Sequence, residues 1–288
     1  MTGIPARVGV VGGGRMGAGI AQVFATLGST VVLAEAGDQK AALERVATGL
    51  QRAHARGKLD GGDNPETILG RVRTVGDPLD LPGDPQLVVE AVPENPALKA
   101  EVLASIEKAV DSATVIATNT SSISIAELST SLISPSRFLG MHFFNPVPAS
   151  SLIEVIRAPG TDPAVVERVS GWVSLLGKSK VVVNDSPGFA TSRLGVCLGL
   201  EAIRMLEQGV ADAESIDLAM ELGYRHPMGP LRSTDLVGLD VRLAIAEHLA
   251  RTLGPRFEPP QLLRDKVARG ELGRKTGRGF YEWEGTSS

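Results

Sequence analysis

Arg7-Val8-Gly9-Val10-Val11 is a strand-type apolar run that closes on Gly12-Gly13-Gly14-Arg15-Met16-Gly17. Beyond the glycines, Met16, Ile20, Val23, Phe24 and Leu27 recur at helical spacing. A strand that turns through glycine into a helix begins a βαβ unit, and each glycine of a Gly-x-Gly-x-x-Gly series has its own task. Gly12 permits the tight turn, Gly14 lets backbone N–H groups approach a pyrophosphate, and Gly17 lets the helix lie close to the strand. Arg15 and Met16 belong to the same cofactor-facing segment, where the helix N-terminus presents its partial positive charge. The next strand, Thr30-Val31-Val32-Leu33-Ala34, ends in Glu35. That spacing suits a carboxylate that accepts the hydroxyls of an adenosine ribose and repels a 2′-phosphate, so NAD is expected in preference to NADP, and a solvated strand-end charge is the alternative.

A chain of 288 residues is long enough for two domains with a substantial core. Lysine plus arginine number 29 against 33 acids, and the net charge of −4 gives no reason to expect nucleic acid or an anionic membrane as partner. The single cysteine, Cys197, excludes an internal disulfide framework and is expected as a small buried hydrophobe. Four histidines without close spacing offer no metal site. No signal peptide precedes the first strand and no apolar run is long enough to span a bilayer, so a soluble, cytoplasmic protein is expected.

Strand and helix signals alternate after Glu35. Residues 39–56 are predicted helical, 57–65 turn-rich, 71–75 a strand and 87–92 a buried strand. A helix opens at Pro96, and 115–118 is a strand ending in Asn119-Thr120-Ser121-Ser122. This rhythm predicts an α/β architecture, a Rossmann-like, doubly wound and mostly parallel sheet. Strands at 138–144 and 152–156, a helix at 163–176 and a strand at 180–183 complete it. From Phe189 onward helical periodicity dominates, at 193–208, 213–222, 239–253 and 261–269. The expected division is a cofactor domain over 1–184, a linker at 185–191 and an all-helical C-terminal domain over 192–288. Leu194, Cys197, Leu198, Ile203 and Leu206 exceed a narrow core stripe, which suggests a subunit interface on that domain.

In an open parallel sheet, ligands lie beyond the carboxyl ends of the strands. His142 stands near the end of an apolar strand, before the proline-constrained turn that carries Asn145, and Glu154 follows twelve residues later in the adjoining strand. A hairpin-like return would bring the two together, and a carboxylate beside histidine fixes its tautomer and stabilises the imidazolium formed on proton removal. A hydrogen-bonded core histidine is the alternative. Glu154, flanked by apolar residues, needs a partner in either case. Ser121 and Ser122 read equally as helix N-caps, and Asn145 as a turn residue.

Seven strings in order carry a resemblance over essentially the whole chain. They are Val11-Gly12-Gly13-Gly14-Arg15-Met16-Gly17-Ala18-Gly19-Ile20-Ala21, Val89-Glu90-Ala91-Val92-Pro93-Glu94-Asn95, Thr118-Asn119-Thr120-Ser121-Ser122, His142-Phe143-Phe144-Asn145-Pro146-Val147-Pro148, Asp185-Ser186-Pro187-Gly188-Phe189, His226-Pro227-Met228-Gly229-Pro230 and Lys275-Thr276-Gly277-Arg278-Gly279-Phe280-Tyr281. In these the chain resembles the L-3-hydroxyacyl-CoA dehydrogenase family, most of all its bacterial 3-hydroxybutyryl-CoA branch.

The resemblance implies oxidation of a (S)-3-hydroxyacyl-CoA to the 3-ketoacyl-CoA with NAD, with His142 as general base oriented by Glu154. It implies that Ser121 and Asn145 position the substrate oxygen and the nicotinamide end, and that Glu94, Lys99 and Lys275 are cofactor contacts. Lys58 falls near the coenzyme A contact, where a cation suits the phosphates. Ser192 stands where the family usually has asparagine before the arginine, which leaves the preferred acyl group open. A homodimer through the helical domain is also implied. A dehydrogenase of free hydroxy acids on the same fold, or a non-catalytic NAD-binding protein, are the alternatives.

Overall fold

The computed structural model describes residues 3–59 and 63–283, so residues 60–62 of the turn-rich 57–65 stretch lie outside the described residues. The chain packs as two units, residues 1–186 and 187–288.

The first unit contains β1 (Arg7–Val11), α1 (Arg15–Thr26), β2 (Thr30–Ala34), α2 (Gln39–Ala55), α3 (Pro65–Leu69), β3 (Val72–Val75), β4 (Leu87–Glu90) and α4 (Pro96–Ala109). It continues with β5 (Val115–Thr118), α5 (Ile125–Ser129), β6 (Phe138–Phe143), β7 (Leu152–Arg157), α6 (Pro163–Leu175) and β8 (Ser179–Asn184). The strands form one sheet in the order β3-β2-β1-β4-β5-β6-β7-β8. Pairings from β3 through to β6 are parallel. The chain therefore steps outward from β1 to β3 and then returns across it to β4. At that reversal of winding direction a crevice opens beyond the strand ends, and the glycine turn lies at its β1 side.

The chain between β6 and β7 is far shorter than a crossover requires, so β7 returns antiparallel. A crossover through α6 then makes β8 parallel to β7. In the antiparallel pair His142 stands opposite Glu154, which puts both side chains on the same face. Ile20, Phe24, Leu33 and Val89 are fully buried in the core of this unit. Burial of each such side chain stabilises by about 1.5–3 kcal/mol.

The second unit holds α7 (Thr191–Glu207), α8 (Ala213–Gly223), α9 (Pro230–Val237), α10 (Leu239–Leu253) and α11 (Gln261–Ala268) around Val196, Leu200, Ile203, Leu231, Leu239, Leu249 and Leu263. Cys197 corrects the expectation of burial, for it is exposed. One residue turns a helix by about 100°, so Cys197 leaves the inward face formed by Val196, Gly199, Leu200 and Ile203. Two helices carry no separate signal in the sequence, α3 and α9. Both are short and both begin at proline, which presets the first helical φ. Among the described residues no helix is long and apolar enough to cross a membrane.

Candidate active site

Gly12 has φ +103°, in the region that favours glycine, and its N–H donates to Ala34 O at 2.8 Å. A Cβ on Gly17 would lie 1.8 Å from Gly12 O, so α1 starts against the turn at a distance only glycine allows. Gly14 has open space where its Cβ would be. It is the N-cap of α1 with no side-chain cap, and no acid stands in the first turn. The leading N–H groups of α1 are therefore left to a ligand or to water. Glu35 Oε2 accepts from Gly13 N at 2.6 Å and Oε1 from Gly37 N at 2.8 Å, while Arg45 Nη1 donates to Gly13 O at 3.0 Å. An open glycine turn, an uncapped helix start and a carboxylate at the second strand end fit a dinucleotide.

A second assembly links β4, α4, β5 and β6. Glu90 and Lys99 have no exposed surface, and Lys99 Nζ lies 2.7 Å from Glu90 Oε1. Glu90 also accepts from Val92 N at 2.7 Å and from Thr118 Oγ1 at 2.5 Å. Lys99 donates to Val92 O at 3.2 Å and reaches Glu94 Oε2 at 3.5 Å. Glu94 Oε1 then gathers the loop after β5, accepting from Thr120 Oγ1 at 2.6 Å, Ser121 N at 2.9 Å, and Ser122 N and Oγ at 3.1 Å. Burial alone would raise the Glu94 pKa. The Thr120 hydroxyl, the Lys99 ammonium and the Ser121 and Ser122 donors outweigh it, and the carboxyl is held below its usual range. The brace is thus ionised at neutral pH, and its contribution to stability is lost only as acid carries the pH through that lowered value.

Ser121 Oγ lies 3.1 Å from His142 Nε2, and His142 Nδ1 lies 2.8 Å from Glu154 Oε2. Glu154 is fully buried and His142 nearly so. A carboxylate only accepts, so Nδ1 donates, and the Nε2 lone pair faces the serine hydroxyl. Phe144 packs its ring 4.4 Å from the imidazole, centroid to centroid. Asn119 Oδ1 accepts from Phe143 N at 2.9 Å, tying the loop after β5 to β6. The reading of Ser121 and Ser122 as helix caps is corrected, because Ser124 caps α5, accepting from Glu127 N. That frees Ser121 for the histidine.

Asn145 follows β6 in an exposed position and enters a cleft of about 1520 Å³ that Arg15, Arg45, Arg52, Arg56, Lys58 and Lys178 surround with positive charge. Lys178 donates to Val147 O at 2.8 Å and to Ser150 O, fixing the turn that carries Asn145. Arg45, Arg52 and Arg56 were missed in the sequence. Their spacing of seven and then four residues puts Arg45 and Arg52 on one face of α2 and Arg56 in line with them at its C-cap, and a cationic stripe beside the apolar Ala42, Val46 and Leu50 is the signal that identifies them. In the second unit Ser192 lies in the first turn of α7, and Lys275 Nζ lies 2.6 Å from both oxygens of Asp240.

Residues 7–186 match the family model described as 3-hydroxyacyl-CoA dehydrogenase, NAD binding domain, and residues 188–283 the one described as 3-hydroxyacyl-CoA dehydrogenase, C-terminal domain. The chain is 43% identical to a 3-hydroxybutyryl-CoA dehydrogenase of Mycobacterium tuberculosis, over 96% of this chain and 98% of that protein. It is 38% identical to the mitochondrial hydroxyacyl-coenzyme A dehydrogenase of Sus scrofa, over 96% and 91%. The crystal structure of (S)-3-hydroxybutyryl-CoA dehydrogenase PaaH1 from Ralstonia eutropha superposes with a TM-score of 0.91 at 39% identity, covering 98% of this chain and all of that one.

Proposed function

The chain belongs to the 3-hydroxyacyl-CoA dehydrogenase family, with NAD as its cofactor, and we propose that it oxidises (S)-3-hydroxybutyryl-CoA and related thioesters to 3-ketoacyl-CoA, and reduces them in reverse. The observation that carries this reading is the Ser121–His142–Glu154 line, a base with one nitrogen held by a buried carboxylate and the other facing an open hydroxyl. When bound, NAD supplies the two-electron acceptor. His142 Nε2 removes the proton of the 3-hydroxyl as the carbonyl forms, and Glu154 stabilises the resulting imidazolium. Ser121 donates to the same substrate oxygen and steadies its position. Lys99 presents no surface to a ligand, so its effect on the cofactor passes through Glu94. Asn145 and Lys275 belong to the cofactor contacts on this reading, and the cationic cleft beside α2, with Lys58, takes the coenzyme A phosphates. The exposed Leu194, Leu222 and Tyr224 support a homodimer formed through the helical unit, with a mass near twice 30.1 kDa by light scattering.

The test is NADH consumption with acetoacetyl-CoA, run beside the acetoacetyl ester of pantetheine. The expected result is turnover with both and a higher KM, by about tenfold, without the nucleotide end, since each exposed charge contact contributes up to about 1 kcal/mol. NADH binding without turnover of either ester would sink the proposed reaction.

Glu35 sets the cofactor preference on the same reading. Glu35→Gln keeps one oxygen for the loop, gives up the bond from either Gly13 N or Gly37 N, and removes the charge that repels a 2′-phosphate. The NADH-to-NADPH affinity ratio, read by fluorescence titration, is expected to fall by about tenfold. A ratio unchanged from wild type would mean that Glu35 serves only the loop.

A further inference from the structure

Lys178 stands between α6 and β8, and its backbone is fixed on both sides. Gly177, at φ +68°, turns the chain off α6, and Lys178 N donates to Val173 O at 3.3 Å. Ser179 N then donates to Ser151 O at 2.6 Å, where β8 begins its pairing with β7. The Lys178 side chain is 9% exposed. Among the described residues the acceptors of its ammonium are two backbone carbonyls, Val147 O at 2.8 Å and Ser150 O. Burial lowers its pKa, and no carboxylate opposes that shift. A cation buried without a counter-charge is costly, and an apolar side chain of similar volume would cost less. The stability of the sheet therefore does not account for a lysine at this position.

Both carbonyls belong to the turn that follows Asn145. Within it Ala149 N and Ser150 N donate to Pro146 O, at 3.0 and 2.9 Å. Val147, Pro148 and Ala149 carry no side-chain donor. Lys178 is the donor that the carbonyls of Val147 and Ser150 share. On its other side the turn meets α1, where Val147 is 2% exposed and a Cβ on Gly19 would lie 2.9 Å from the Val147 Cβ. The turn is thus held between Gly19 and Lys178, and Asn145 sits where the chain enters it from β6, the strand that carries His142.

We infer that Lys178 is a positioning residue of the reaction, acting through this turn on Asn145 and so on the alignment of the nicotinamide beside His142. The inference rests on the dehydrogenase reading and on Asn145 as a cofactor contact. Transfer between two bound reactants is sensitive to small displacements, and a turn released from one of its two walls no longer holds Asn145 in one place. An ammonium suits the task because it offers three donors at one point, enough for two carbonyls at once.

The test is kcat, at saturating NADH and thioester, for acetoacetyl-CoA and for the acetoacetyl ester of pantetheine, in Lys178→Met, Asn145→Ala and the double variant. Lys178→Met is expected to lose about tenfold on both esters and Asn145→Ala a similar factor, with the double variant within about twofold of Asn145→Ala alone. Independent effects would multiply to about a hundredfold. A loss confined to the coenzyme A ester would make Lys178 a phosphate contact, and multiplied losses would make it a structural lysine. Either result overturns the inference, as does a kcat within about twofold of wild type in either single variant. Where the methionine variant does not fold, Lys178→Gln, which keeps two donors on one nitrogen, takes its place, and its smaller loss should again vanish in the Asn145→Ala background. Any of these contrary results beside a wild type that turns over both esters rejects this inference alone, whereas a wild type that turns over neither rejects the dehydrogenase reading with it.

Discussion

His142→Gln is expected to lower kcat for acetoacetyl-CoA reduction by about 10²–10⁴-fold, the usual contribution of a positioned general acid or base. Glutamine approximates the size of histidine, and its amide can still donate to Glu154 Oε2, which now lies 2.8 Å from His142 Nδ1. Neither its nitrogen nor its oxygen exchanges a proton with an alcohol near neutral pH. The loss should therefore fall on kcat and spare both folding and the cofactor, because Glu35 and the glycine turn are separate from β6. Circular dichroism and an NADH titration on the same preparation make that separation measurable. Turnover within a few-fold of wild type, with folding intact, would mean that the base lies elsewhere and that the buried Glu154 holds a structural histidine.

Much of this arrangement could be read from the residues, for identifiable reasons. The glycine turn was legible because each glycine has a steric cause, and that at Gly17 is extreme, with Gly12 O 1.8 Å from the missing Cβ. The pairing of His142 with Glu154 was legible because a short connection forces an antiparallel return and so fixes the register. Glu90 was not singled out, although it poses the same question as Glu154, a carboxylate inside an apolar strand. Its answer, Lys99, lies nine residues on in α4; the resemblance implied it as a cofactor contact, and its pairing with Glu90 emerges only when the strand and helix are packed together. Arg242 was missed for a related reason. A single arginine in an amphipathic helix predicts an exposed charge, whereas Arg242 in α10 is 6% exposed and lies beside Gly195 and Gly199 of α7. Cys197 failed in the opposite direction, since apolar character was taken for burial on a helix with more apolar residues than its inward face can hold.

Lys99→Met is expected to destabilise the first unit by about 3–5 kcal/mol, because removing one partner of a buried pair leaves the other charge uncompensated. Methionine fills a similar volume, so the effect isolates the charge from the packing. Glu90 would keep its bonds from Val92 N and the Thr118 hydroxyl, yet both its oxygens would remain buried with no cation within reach. The melting temperature should fall by roughly 10 °C, given the size of the unit. A second substitution decides whether charge is the cause. In Lys99→Met with Glu90→Gln both charges are gone, and most of the lost stability should return, since buried pairs replaced as a whole are often close to neutral. Activity should not return with it. Glu94 would still lack its ammonium neighbour at 3.5 Å, and through Glu94 the loop that aims Ser121 at His142 would be less firmly held. A single variant that melts like the wild type would show that the pair contributes little. A double variant with full kcat would show that Ser121 is held by its own loop, without help from Lys99.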